Sequence, residues 1–165
     1  VDSEVAPQWL IVRYEYPART VDGKQLDPVK LTWYNGGKRP PLQAEHGLPQ
    51  WGAGSLFVGD KGMLMADYGR HILFPEADFK DYTPPPKTIP DSIGHHAEWL
   101  LACKTGTPTT CNFAYGSVLT ETVLLGNVSY RAGQKLDWDG PALKAANCPL
   151  AENFLRTEYR RGWRI

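Results

Sequence analysis

The stretch 54–75 constrains the fold more than any other part of the chain, because glycine-rich breaks separate its short apolar runs. Runs 55–58 and 63–65 flank Gly59-Asp60-Lys61-Gly62, where a type I turn followed by a glycine at positive φ closes a hairpin. A third run, 71–74, ends at a proline, which cannot continue a central strand. The stretch therefore predicts three consecutive antiparallel strands that form the middle of a sheet.

Further strands are predicted before and after this stretch. Trp9 to Tyr16 is rich in β-branched and aromatic residues and is stopped by Pro17. Val29 to Tyr34 alternates apolar and polar residues with the period of a strand. These two strands are expected to form a hairpin, with residues 20–28 as a polar turn region between them. A last short strand is predicted from Lys135 to Trp138.

Two helices are predicted after the central strands. Asp91 or Ser92 is expected to cap the first, which ends at Gly106. Asn112 is expected to cap the second, which runs from about Ala114 to Arg131. Apolar residues cover more than half the circumference of the second helix. We therefore expect it to be buried against both a sheet and a neighbouring element.

Together these elements predict an α+β fold, an open and mostly antiparallel sheet of five or six strands with helices packed on one face. The whole chain, 1–165, is expected to form a single domain, since its length suits one. The other face of the sheet is then available for oligomerisation. The strands contain more apolar residues than one helix-covered face requires, so some of them should line a contact between copies of the chain. These residues include Trp9, Ile11, Trp33 and Phe57.

Composition excludes several classes of partner. The 165 residues carry 18 Lys and Arg against 18 Asp and Glu, so no net field favours nucleic acid or an anionic membrane. Cys103, Cys111 and Cys148 lack the spacing of a zinc or redox site, and we expect three reduced, mostly buried thiols and no metal. No apolar run approaches the roughly 20 residues of a membrane span. We expect a soluble chain, and whether its parent is cytoplasmic or exported stays open.

Four further motifs accompany the central hairpin, which reads Gly54-Ser-Leu-Phe-Val-Gly-Asp-Lys-Gly-Met-Leu64. Leu31-Thr-Trp-Tyr-Asn-Gly-Gly37 precedes it, and His96-Ala-Glu-Trp-Leu-Leu-Ala-Cys-Lys-Thr-Gly106 follows it. Leu136-Asp-Trp-Asp-Gly140 and Arg161-Gly-Trp163 come near the end. In this order the motifs resemble the C-terminal domain of the Gfo/Idh/MocA oxidoreductases, which are NAD(P)-dependent sugar and cyclitol dehydrogenases.

The resemblance implies that the chain is the substrate-binding and oligomerisation half of a sugar or polyol dehydrogenase. In that family an N-terminal Rossmann domain holds NAD or NADP, and a Glu-Lys-Pro motif carries the catalytic lysine. The chain contains no Glu-Lys-Pro sequence. It also has no dinucleotide fingerprint, because Gly52-Ala53-Gly54 lacks the third glycine and precedes a predicted strand where a dinucleotide site needs a helix. We expect the chain alone to hold no cofactor and no catalytic residue. Its expected partners are the missing Rossmann domain and a sugar-like substrate.

The long loop 38–52 is one place where substrate contacts are expected. Glu45 and His46 lie in it beside Trp51, and hydrogen-bonding groups next to a flat apolar ring are typical of carbohydrate pockets. The alternative is a solvated loop without a binding role.

The other candidate contacts are Tyr68 and Arg70, after the hairpin, and His95 and His96, in the first turn of the first predicted helix. Free backbone N–H groups at a helix start favour a neutral imidazole, which can donate a hydrogen bond to a sugar hydroxyl. For the two histidines the alternative is a structural cap or a surface role. For the chain as a whole it is a stand-alone carbohydrate-binding or scaffold module that uses the aromatic residues of the open sheet.

Overall fold

The computed structural model describes residues 5–156 and 158–163. Within that part of the chain it contains four α-helices and small antiparallel sheets of two, two, three and two strands. The predicted α+β composition is confirmed. The predicted single open sheet is not formed by the described strands, because their pairing stays within neighbouring segments. The chain divides into two compact units, 40–93 and the remainder, which are described in turn.

In the unit made of 1–39 and 94–165, strand β1 (Ile11–Tyr16) pairs antiparallel with strand β4 (Val29–Tyr34), as the sequence predicted. The turn region between them is itself a hairpin of β2 (Arg19–Val21) and β3 (Lys24–Leu26). Asp22 and Gly23 close that hairpin, both at positive φ, which is the geometry that Asp-Gly turns favour. The interpretation of 20–28 as turn only was therefore incomplete.

Helix α2 (His95–Thr105) begins after Gly94, so the prediction that Asp91 or Ser92 caps it is wrong. Its predicted end is confirmed, since Gly106 adopts the left-handed conformation of a helix C-cap. Helix α3 (Phe113–Ala132) begins at the predicted cap. The Asn112 side chain accepts a hydrogen bond of 3.0 Å from the Tyr115 backbone N–H.

Helix α3 is buried only towards its C-terminal end. Gly126 lies against Val12 and the Tyr14 hydroxyl of β1, and Val128 is buried with Ala145, Cys148 and Ala151. The expectation that the whole helix is buried on two sides is wrong for the part before Leu125. There, apolar side chains remain about half exposed, namely Val118, Leu119, Val123 and Leu124.

The C-terminal segment covers the end of α3. Strands β8 (Trp138–Asp139) and β9 (Lys144–Ala145) form a two-residue ladder, which begins later than the predicted strand 135–138. A 3₁₀ turn at Pro149–Ala151 leads into helix α4 (Glu152–Leu155). The Trp138 indole N–H donates a hydrogen bond of 2.6 Å to the Glu121 carboxylate of α3, which fixes this segment to the helix.

The unit 40–93 contains the predicted meander. Strands β5 (Ser55–Val58), β6 (Met63–Ala66) and β7 (His71–Phe74) form one antiparallel sheet in sequence order. Gly62 has a φ of +153°, as the turn required. The predicted loop before β5 contains a short helix, α1 (Pro41–Glu45). A 3₁₀ helix at Glu76–Phe79 follows β7.

One face of this sheet carries the core of the unit. Met63 and Met65 of β6 are buried together with Leu48 from the loop. The half-buried side chains packed against them are Trp51, Leu56, Ile72 and Phe74. Because side chains alternate along a strand, the intervening residues of β6 and β7 point to the opposite face.

Among the described residues, no helix combines the length and the hydrophobicity that crossing a bilayer requires.

Candidate functional site

Four of the six predicted contacts lie in the unit 40–93. Glu45 is the last residue of α1, and His46 follows it as the exposed C-cap, with its backbone N–H donating to the Leu42 carbonyl. Tyr68 and Arg70 lie in the turn between β6 and β7. The structure gives Arg70 defined partners, whereas Tyr68 is fully exposed at the tip of the turn.

The other two predicted contacts, His95 and His96, form the start of α2 in the other unit. Both are exposed, and their ring centres lie 4.1 Å apart with the ring planes tilted by 46°. The rings therefore contact each other as a pair on the first turn of the helix.

Asp67 organises the turn that carries Arg70. Its Oδ1 accepts backbone hydrogen bonds of 2.9 Å from Gly69 and 3.0 Å from Arg70, and its Oδ2 accepts one of 2.8 Å from Arg70 Nε. These bonds stabilise the ionised carboxylate. The Gly69 backbone N–H, followed by the Arg70 side chain, holds the pKa of Asp67 below its usual range.

The Arg70 guanidinium group lies over the Trp51 ring, 4.1 Å from its centre. Trp51 is half buried against the Leu48–Met63–Met65 core, so the ring is held from below while Arg70 lies on it. We call Trp51, Asp67 and Arg70 the arginine plate. A planar donor fixed on a flat ring offers both apolar contact and hydrogen bonds to a ligand. Sequence reasoning named Trp51 and Arg70 but assigned them to different segments.

A second surface lies on the face of the β5–β6–β7 sheet opposite the core. It is an open groove of about 550 Å³ between the strands, the 3₁₀ helix and the segment after it. We call it the sheet groove. Its lining residues are Leu64, His71, Ile72, Leu73, Glu76, Phe79, Lys80, Tyr82 and Pro84. Sequence reasoning missed this groove, although the alternation along β6 and β7 places Leu64, His71 and Leu73 on one face.

A smaller cavity of about 290 Å³ lies between α3 and the C-terminal segment. Its walls are mainly apolar, and Glu121 and Arg156 supply its charged groups. Glu121 already accepts the Trp138 indole hydrogen bond, so a wall residue of this cavity also holds the C-terminal segment on α3.

Within residues 5–156 and 158–163, no three His, Cys, Asp or Glu side chains come together in an arrangement that could hold a metal ion. The cysteines are free thiols, with Cys103 and Cys111 exposed and Cys148 buried. The expectation of mostly buried thiols is therefore wrong, because only Cys148 belongs to a core cluster.

No protein-family model matches this chain, and no curated protein is similar to it at a significant level.

Proposed function

We propose that the chain is the substrate-binding and subunit-pairing half of an NAD(P)-dependent oxidoreductase that acts on a sugar or a sugar-like polyol. In this proposal a Rossmann domain, preceding the chain in its parent, holds the NAD or NADP and supplies the catalytic lysine. The parent moves a hydride between a carbinol carbon and the nicotinamide. The present chain shapes the substrate pocket and is not catalytic alone.

The observation that carries the sugar part of the proposal is the arginine plate. Sugar hydroxyls need directed hydrogen-bond partners, and the C–H faces of a sugar ring pack on flat apolar groups. In the plate the Arg70 guanidinium group, held on Trp51, supplies directed donors. The fully exposed ring of Tyr68, in the same turn as Arg70, is open to packing against a sugar. The order of the sequence motifs supports the assignment to an oxidoreductase.

Subunit pairing is supported by exposed apolar strand residues. Val29, Leu31 and Trp33 share one face of β4 and are 40–49% exposed, although alternation along an edge strand commonly hides such residues. The same face of the neighbouring β1 packs against α3 through Val12 and Tyr14. In this proposal a second copy of the chain covers the part of the face, on β4, that α3 leaves exposed.

The test is an assay of the longer protein that includes whatever residues precede Val1. We expect NAD(P)H absorbance changes with at least one sugar or cyclitol. Arg70→Gln should lower kcat/KM, and the activation free energy calculated from that ratio should rise by about 1 to 3 kcal/mol, the cost of an unpaired polar partner. Arg19→Gln, on the exposed β2, is the matched control and should leave kcat/KM unchanged.

The chain 1–165 alone supplies the complementary measurement. Titration calorimetry should detect no binding of NAD or NADP, because the phosphate-cradling glycine loop is assigned to the other domain. Micromolar binding of either cofactor by this chain contradicts the proposal.

The second candidate is a carbohydrate-binding or scaffold module without an enzymatic partner. The observation that favours it is the exposure of strand aromatics, since Trp33 is 48% and Phe57 58% exposed and such rings can serve as a stacking platform. The residues encoded upstream of Val1 discriminate the two. A glycine-rich βαβ segment with Glu-Lys-Pro favours the enzyme, and a signal peptide directly before Val1 favours the module.

A further inference from the structure

We infer that the sheet groove, and not only the arginine plate, binds a neutral polyhydroxylated ligand of the sugar or cyclitol class. None of the residues that carry this inference is among the six contacts predicted from the sequence. The inference deepens the proposed function and rests on it for the choice of a polyol among neutral ligands.

The floor of the groove is apolar and is fixed by the sheet. Leu64 of β6 pairs directly with Leu73 of β7, and the side chains of directly paired residues lie on the same face. Phe57 of β5 pairs with Leu64 and extends the same row. The neighbouring Met63 and Met65 point to the core side. The floor is therefore a row of side chains held in register by the ladder.

One wall of the groove is aromatic. The rings of Phe79 and Tyr82 have centres 6.3 Å apart and meet at 87°, which makes a corner above the strands. Phe79 is anchored because its ring lies against Gly62, where an added Cβ would come within 2.8 Å of it. Tyr82 is 55% exposed and presents its ring to solvent. A sugar ring can pack its C–H face against such a wall.

The rim of the groove is polar but carries no dominant charge. His71, Glu76 and Lys80 are exposed there. In the described part of the chain, none of these three side chains has a hydrogen-bond or ion-pair partner within the protein. A carboxylate only accepts, an ammonium only donates, and an imidazole does both.

This mixture selects the class of ligand. A phosphate or carboxylate ligand would bring its negative charge beside Glu76, and a cationic ligand would bring its charge beside Lys80. A hydroxyl group donates and accepts, so the hydroxyls of a polyol can pair with each kind of rim group. An apolar ligand would leave the rim groups without partners. A neutral ring with hydroxyls on its edge and C–H groups on its face matches both the polar rim and the apolar floor and wall.

The experiment is a ¹H–¹⁵N NMR titration of the chain with myo-inositol, D-glucose and D-galactose. We expect at least one to shift the amide signals of the groove, at residues 64, 71–73 and 76–82, with a Kd on the order of 1 mM as suits an open site. Cyclohexanol, which has a six-membered ring with only one hydroxyl, and inorganic phosphate should each bind at least about fivefold more weakly.

Tyr82→Ala should weaken polyol binding at least about fivefold, the loss expected for one stacking ring. The matched control is Tyr115→Ala, because Tyr115 is 57% exposed and lies on α3, outside the groove; its Kd should stay within about twofold of the parent chain. Should Tyr82→Ala not fold, Glu76→Gln and Lys80→Met carry the same test from the rim. Each should weaken binding at least about threefold.

Three results would overturn the inference: no shifts in the groove with any of the three polyols, equal binding of cyclohexanol or phosphate, or unchanged affinity in the groove variants. Because the titration contains no cofactor, it is independent of the redox assay. A chain that binds myo-inositol in the groove while its parent shows no NAD(P)H chemistry contradicts the oxidoreductase and not the groove. The reverse pair of results contradicts the groove alone.

Discussion

The guanidinium group of Arg70 is held between two partners, the Trp51 ring 4.1 Å away and the Asp67 carboxylate at 2.8 Å. Trp51 comes from the loop before β5, whereas Asp67 and Arg70 belong to the turn between β6 and β7. The contact therefore ties the loop to the sheet and gives the turn a fixed orientation.

Arg70→Gln should lower the free energy of unfolding by about 1 kcal/mol. A cation–π contact at an exposed site contributes about 0.5 to 1 kcal/mol, and an exposed ion pair adds only about 0.2 to 1 kcal/mol. The Arg70 side chain is 58% exposed, which keeps both contributions at the lower end. Urea denaturation measures the change.

The control for that measurement is Arg156→Gln. Arg156 forms an exposed ion pair of 3.4 Å with Glu152, so this variant should lose no more than about 0.5 kcal/mol. Equal losses in the two variants would mean that the ring contact does not contribute to stability.

The pKa of Asp67 should lie below the ordinary aspartate value of about 3.9, because its carboxylate accepts hydrogen bonds from Gly69 and Arg70. A carboxyl group with a lowered folded-state pKa stabilises the fold above its unfolded pKa. That contribution is lost as the pH falls through the folded value. We expect the turn to be undisturbed at neutral pH and to loosen only in acid below the ordinary value. An NMR titration of the Asp67 carboxyl carbon gives the midpoint.

In Arg70→Gln that midpoint should rise only part of the way, because the Gly69 backbone N–H is the largest cause of the lowered pKa and stays in place. A midpoint at or above the ordinary value in the parent chain would contradict the hydrogen-bonded turn.

Gly126→Ala should destabilise the protein by about 1 to 3 kcal/mol, the usual cost of overpacking. An added Cβ would lie 2.7 Å from the Tyr14 hydroxyl and 2.9 Å from a Val12 methyl group. Thermal or urea unfolding checks this, and Tyr14→Phe should restore part of the loss, since it removes the hydroxyl that the new methyl group meets.

Gly116 provides the matched control in the same helix. A Cβ at this position meets nothing within 4 Å, so Gly116→Ala should stabilise the protein by up to about 1 kcal/mol through helix propensity alone. Stabilisation of similar size at Gly126 would show that α3 does not approach β1 this closely.

Sedimentation of the chain at high concentration should show a dimer or larger assembly if the exposed face of β4 pairs subunits. Trp33→Glu should shift the chain towards monomer, because it places a charge in an apolar contact. Thr32→Glu is the control, since Thr32 is exposed on the opposite face of the same strand. A strict monomer for the parent chain, or equal effects of both substitutions, would contradict pairing through this face.

The elements that the sequence determined by itself are those whose cause is local. The β5–β6–β7 meander, the Asn112 cap and the Gly106 C-cap depend on turn and cap chemistry within a few residues, and all three are present. The predicted cap of α2 was wrong because two polar residues were favoured over Gly94, which is the N-cap of the helix with a positive φ of 95°.

The tertiary structure alone decided which surfaces meet. The stacking of Arg70 on Trp51, the approach of β1 to Gly126, and the corner of Phe79 over the sheet all join segments distant in sequence. Hydrophobic periodicity states which residues of an element are apolar, but it does not state which other element covers them. For this reason the pattern in α3 predicted a helix correctly and its burial incorrectly, and the sheet groove became visible only when β7 and the 3₁₀ helix were placed together.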